Sequence, residues 1–273
     1  MVSVIRNIDQ SYRSAESDVL FNYIFEWGEA KDSYTAEHPK RLSFTDNIEY
    51  INDGGNDLVR LINENKMIPV YYASSGVQSA MPLDVMADYF TGLVGKNASV
   101  SKHDLANTLA RYLGKDKELT NEMLKSISNK MKYQSVQLFI EEPEQNLYPD
   151  SQRNLTINLV CALKQAMPKG RGDSMLVMTT HSPYILSTLN VLIAEAYAMD
   201  AKPKSDKLRN IVNKECLFPL SAYSAYYIQE DGKFADIIDK DITMISGNEL
   251  DGVSDWVDDK IARINEVLYG TKR

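Results

Sequence analysis

Cysteines, long apolar runs and a phosphate-binding loop are what this sequence has little of or lacks, and each gap removes a class of protein. Cys161 and Cys216 are far apart and form no CxxC pair, so neither a metal site nor a disulfide framework is indicated and both read as core thiols. No apolar stretch approaches the roughly 20 residues that span a bilayer. The opening Met-Val-Ser-Val-Ile-Arg lacks the basic start, apolar core and cleavage site of a signal peptide, so a cytoplasmic location without membrane attachment is expected. Nor is there a Gly-x-x-x-x-Gly-Lys-Ser/Thr motif anywhere in the 273 residues. Residues 91–97 supply a Gly-Lys pair, but Asn97 follows it where a magnesium-binding hydroxyl belongs, and the pair follows a helical pattern rather than a strand.

What remains is ordinary for a soluble globular chain: 44% hydrophobic, 25% charged and a formal net charge of −8. The acidic balance opposes generalised binding to nucleic acid while leaving room for a local basic surface. The most informative stretch is 136–149, where Val-Gln-Leu-Phe-Ile runs into Glu141, Glu142 and Pro143. A short apolar block ending in paired carboxylates predicts a buried strand of a parallel sheet that delivers charge to the carboxyl edge, where α/β proteins bind ligands. Pro143 predicts an extended Glu142, with the two carboxylates pointing to different sides.

Two further stretches share that pattern. Residues 66–72 read as a strand with Pro69 at an edge, feeding Ala-Ser-Ser-Gly-Val-Gln-Ser at 73–79 and then a helical pattern. A small-residue turn opening a helix suits an anion, and it equally suits a plain N-cap at Ser74 or Ser75. Pro82 predicts either a kink or a helix that begins there. Downstream, residues 152–167 form a helical stripe and 175–178 a second apolar block, giving a strand–helix–strand unit with parallel strands. That unit sends Thr-Thr-His-Ser-Pro-Tyr, residues 179–184, to the same edge as Glu141 and Glu142, with Ser182 and Pro183 starting the next helix.

The rest gives organisation rather than chemistry. A helix is predicted near residues 18–27 and a turn at 53–57. Residues 96–132 read as a helical hairpin carrying eight lysines and arginines against four carboxylates, a local excess that fits either a DNA or partner surface or a solvated face. Asp231-Gly232 between two short apolar segments predicts a β-hairpin, and Val253, Trp256, Val257, Ile261, Ile264 and Leu268 one face of a terminal amphipathic helix. Scattered aspartates at 236, 239, 241 and 251 carry no metal signature.

Residues 136–149 resemble the Walker B strand and D-loop of ATP-binding-cassette (ABC) type ATPases, particularly the soluble AAA-type branch with RecF-like, SMC-like and OLD-like proteins. Residues 74–78 resemble the family's signature motif in its Ser-Ser-Gly-x-Gln form, with Val77 departing from the second glycine of the transporter version. The resemblance implies an α/β, P-loop NTPase-like half-domain with a parallel sheet, a helical insertion and a C-terminal β-hairpin plus helix. It divides the chain into 1–65, the remainder of a variable, helical region; 66–245, the C-terminal lobe of the ATPase domain with 96–134 inserted; and 246–273, a terminal amphipathic helix.

It also implies roles. Glu142 would polarise the attacking water, Glu141 would hold Mg²⁺ in place of the usual aspartate, and His181 would be the switch histidine on the γ-phosphate of ATP. Ser75, Gly76 and Gln78 would contact the γ-phosphate of a nucleotide held by the opposite subunit, implying a dimer. The missing Walker A motif makes this a half-cassette expected to need a separate Walker A lobe, with DNA repair or phage defence as the setting. The alternative is an inactive regulatory or dimerisation module that keeps the architecture.

Overall fold

The computed structural model describes residues 19–97, 132–170, 173–247, 257 and 259–265. The chain divides into two compact units, Met1–Thr179 and Thr180–Arg273, where the sequence suggested three segments.

The first unit opens with helix α1 (Val19–Lys31), followed by an antiparallel meander in the order β1 (Lys40–Arg41), β2 (Ile48–Asp53), β3 (Asn56–Leu61) and β4 (Lys66–Pro69). The turn anticipated at 53–57 is the tight connection of β2 and β3, with Asp53 paired to Asn56 across Gly54 and Gly55, both at positive φ. β4 ends on Pro69 at the sheet edge, where a residue without an N–H is tolerated. Tyr50, fully buried on β2, packs its ring against Trp27 of α1 and Tyr34, and its hydroxyl donates to Asp57 at 2.6 Å. Lys31 also reaches Asp57, so the buried ammonium has a counter-charge.

Helix α2 (Ser75–Leu93) follows a short 3₁₀ turn at Val70–Tyr72. It begins at Ser75 and continues through Pro82, whose ring nitrogen cannot donate to the carbonyl of Gln78. The parallel unit is built from β5 (Gln137–Glu141), helix α3 (Pro149–Ala166) and β6 (Met175–Thr179), with Gln137 opposite Met175 and Glu141 opposite Thr179. Leu138, Ile140, Leu176 and Met178 join the core with Val77, Ala80 and Met81 of α2 and Leu155 and Leu159 of α3.

The opposite face of β5 and β6 is open, which corrects the expectation of a fully buried strand. Phe139 is 69% exposed, and Met175 and Val177 are exposed beside it. This sheet has two strands and its helices cover one side, so alternate residues meet solvent.

Segment 98–131, with most of the predicted helical hairpin and its basic charge, lies outside the described residues. Its two ends are fastened: Gly95 N–H donates to Tyr133 at 2.9 Å and Tyr133 N–H to Lys96 at 3.0 Å.

The second unit contains α4 (Pro183–Ala201), α5 (Asp206–Ile211) and, among the described residues, two short ladders. The predicted hairpin is present as β7 (Tyr226–Ile228) paired antiparallel with β8 (Phe234–Asp236). β9 (Ile238–Asp239) pairs with β10 (Met244–Ile245), and Asn190 of α4 clamps β10 by donating to and accepting from the backbone of Ile245. Residues 257 and 259–265 are helical with Val257, Ile261 and Ile264 exposed; the rest of the predicted terminal helix lies outside the described residues. Cys161 and Cys216 are not free thiols, correcting the core-thiol reading; spacing alone does not distinguish a half-cystine from a buried thiol. No helix among the described residues is long and apolar enough to cross a membrane.

Candidate functional site

The site is assembled at the N-terminal ends of α2 and α3, both within the first unit. Ser74 caps α2, its hydroxyl accepting from the Val77 N–H, and Ser75 and Gln78 are exposed on the first turn. Gln78 turns its amide nitrogen back on the preceding loop, donating to the carbonyls of Ala73 at 2.7 Å and Tyr71 at 3.2 Å. In this conformation Gln78 shapes the turn. Tyr71 and Tyr72, both exposed, pack their rings together just before it.

Gly76 is buried against the loop that follows β5. A Cβ at this position would lie 2.6 Å from the carbonyl oxygen of Asn146 and 3.3 Å from a methyl of Leu147. Ser79 strengthens the same contact, its hydroxyl 3.2 Å from the Gln145 carbonyl. The signature-like turn and the acidic loop therefore form one packed edge within a single chain. At Val77, buried inside the turn, the side chain faces the core.

The acidic loop is braced from within. Gln145 N–H donates to the Glu142 carbonyl, Leu147 N–H to Glu144, and the Gln152 side chain to the Leu147 carbonyl. Glu141 is the last residue of β5 and is exposed. Glu142 departs from the extended conformation expected before Pro143: its φ is +45°, in the left-handed region. Two backbone bonds fix it there, its N–H donating to Thr179 and its carbonyl accepting from Gln145. Its carboxylate accepts from the Gln145 side chain at 2.7 Å. A strained non-glycine conformation at a candidate catalytic carboxylate marks a position held by its surroundings rather than by its own preference.

Ser75, Gly76, Gln78, Glu141 and Glu142 are thus carried by one unit. His181 belongs to the second, exposed, two residues past the Thr179 that pairs with Glu141, and followed by the Ser182 cap and Pro183 at the start of α4. Three contributors escaped sequence reasoning: Ser79, Gln145 and Asn146. Asn146 carried a signal, since asparagine is enriched among residues at positive φ and its φ is +60°.

The donor set fits a partial metal site. Among the described residues no group of three or more His, Cys, Asp or Glu side chains could enclose a metal. Mg²⁺ in nucleotide enzymes takes only one or two carboxylates, with phosphates and water filling the other positions. Glu141 meets that requirement as a contributor but not as a complete site.

Two substitutions test this geometry. Replacing an ordinary helical glycine with alanine stabilises by about 0.5–1 kcal/mol. Gly76→Ala should instead destabilise, by roughly 1–3 kcal/mol, because the backbone of the acidic loop has to give way; urea denaturation reads the sign. Glu142→Gly and Glu142→Ala both remove the carboxylate, so their difference reports backbone strain. The glycine variant should be the more stable by about 1 kcal/mol in the same assay.

A family model described as AAA ATPase domain matches residues 3–186, about two thirds of the chain. That span includes α2, β5, α3, β6 and His181. No curated protein and no solved structure matches. With its acidic strand end, a parallel α/β unit and the family match in agreement, this chain belongs to the AAA ATPase domain family, whose general role is ATP binding and hydrolysis.

Proposed function

We propose that this chain is the lobe of a soluble ABC-type ATPase that contributes water activation, the switch histidine and the trans signature. A separate lobe carries the Walker A loop. The observation that carries this reading is the packed edge in which Gly76 and Ser79 meet residues 145–147, directly after Glu141 and Glu142. A shared edge sets the carboxylates at the chain's own nucleotide and the phosphate-suited turn toward the nucleotide of the opposing copy, in one fixed relation to each other.

The open face of the parallel pair supports a missing partner. Parallel sheets are normally covered on both sides. Phe139, Met175 and Val177 are exposed on one face, and an open groove of about 660 Å³ runs along residues 135–141 beside α1 and α2. The sequence meanwhile lacks the loop that would cradle β- and γ-phosphates.

In the assembled enzyme, Glu142 orients and polarises the water that attacks the γ-phosphate. Glu141 helps hold the Mg²⁺ that ATP brings, and that ion neutralises developing charge when bound. Ser75 and the first-turn N–H groups of α2 face the nucleotide of the opposing copy in a homodimer, Gln78 keeps that turn in shape, and His181 donates to the γ-phosphate. The setting is DNA repair or phage defence, with the basic segment 96–132 as the DNA-facing surface.

Purified alone, the chain should bind ATP weakly and hydrolyse it negligibly; tight binding in calorimetry would contradict the composite reading. Combined with its Walker A lobe, Glu142→Gln should trap an ATP-bound dimer, seen as an early-eluting species that retains nucleotide while turnover falls about 100-fold or more. Unchanged turnover would remove Glu142 from its role.

A further inference from the structure

A buried charge cluster lies about two helical turns from the candidate site, and nothing in the proposed chemistry uses it. Asp84 of α2 is fully buried. Its carboxylate accepts from the Ser43 N–H at 2.6 Å and from the Asn158 side chain of α3 at 2.9 Å, and it lies 3.5 Å from the Lys40 ammonium of β1. The same ammonium pairs with Asp88, one turn further along α2, and Asn158 also reaches Asp88 at 3.5 Å. Burial pushes the Asp84 carboxyl above its usual range, while Lys40 and the Ser43 N–H pull it back down. For Lys40, burial acts to lower the ammonium and the two aspartates outweigh it, leaving it raised.

Buried ion pairs seldom stabilise a fold more than apolar side chains of the same volume, so stability does not account for this cluster. Placement does. The cluster joins the meander, α2 and α3, and the N-terminal ends of those two helices bear the signature-like turn and the acidic loop. The Gly76 backbone lies so near the Asn146 carbonyl that not even a Cβ fits between them, so a shift of α2 against the loop leading into α3 disturbs that contact. Pro82 adds a reason for a fastening at this depth, because it removes a backbone bond between the first turns of α2 and the remainder.

We infer that Lys40 is a positioning residue: from β1 it neutralises Asp84 and Asp88 of α2, the carboxylates that Asn158 of α3 bonds, and so sets α2 against α3 and keeps the Ser75–Gln78 turn seated on loop 142–147. What that edge then contacts rests on the function proposed above, whereas the seating itself is a property of the chain alone.

Hydrogen–deuterium exchange of the full chain without nucleotide tests the seating. Lys40→Met should raise exchange in peptides covering 77–81 and 145–147 by about tenfold, with the β2–β3 hairpin within about twofold of the parent protein. Lys40→Arg, whose guanidinium serves both carboxylates, should restore the parent rates to within about threefold. Unchanged exchange at 77–81, a uniform rise that includes the hairpin, or failure of the arginine rescue would each overturn the inference. If Lys40→Met does not fold, Asp88→Asn removes only the half-exposed partner and should raise exchange about threefold in the same peptides; no rise there overturns it equally. The nucleotide reading fails separately: unchanged turnover of the assembled ATPase in Ser75→Ala removes the turn's contact with ATP and leaves the exchange result standing.

Discussion

A parallel strand pair needs cover on both faces, and this chain supplies cover for one. Most of what distinguishes the first unit follows from that constraint. Leu138, Ile140, Leu176 and Met178 commit one face of β5 and β6 to α2 and α3, which places the two helix N-termini on the same edge as the carboxyl ends of the strands. The other face keeps Phe139, Met175 and Val177 in solvent. Exposed apolar area of this kind on a two-stranded sheet is a binding surface or a liability. Under the function proposed above, a lobe carrying the phosphate loop would cover it.

The candidate site owes its precision to contacts made with main-chain atoms. Gly76 meets the Asn146 carbonyl, Ser79 meets the Gln145 carbonyl, and Glu142 is held at positive φ by the Thr179 and Gln145 backbones. Side chains at such a site can vary more freely than the path of the chain. Valine at position 77 illustrates this: its side chain turns into the core and leaves the close approach to Gly76.

Much of this parallel unit was legible because its signals are local and strong. The capping serines 74 and 182, an apolar block before Glu141, the stripe along residues 152–167 and, in the second unit, Asp231-Gly232 each have a short-range cause. Of the antiparallel meander only the turn at 53–57 and the strand that ends on Pro69 were legible. β1 is two residues long, and β2 breaks its alternation where Tyr50 and Ile51 are both buried in succession, so period-two patterning fades. The conformation of Glu142 differs from that expectation for another reason: the rule for residues before proline is a local preference, and a bond to Thr179 of the neighbouring strand together with the turn bond from Gln145 overrules it. The Lys40 cluster combines residues 40, 43, 84, 88 and 158, a proximity that only the fold creates.

The fastened ends of segment 98–131 have a consequence for how this scaffold tolerates change. Because Gly95, Lys96 and Tyr133 close the neck with backbone bonds, whatever lies beyond it begins and ends at one point on the surface. Doubling the length of a loop whose ends are already held together adds only about 0.6 kcal/mol of closure entropy. By that argument a change in chain length between Lys96 and Tyr133 costs little, and α2 and β5, on either side of the neck, are spared its effect.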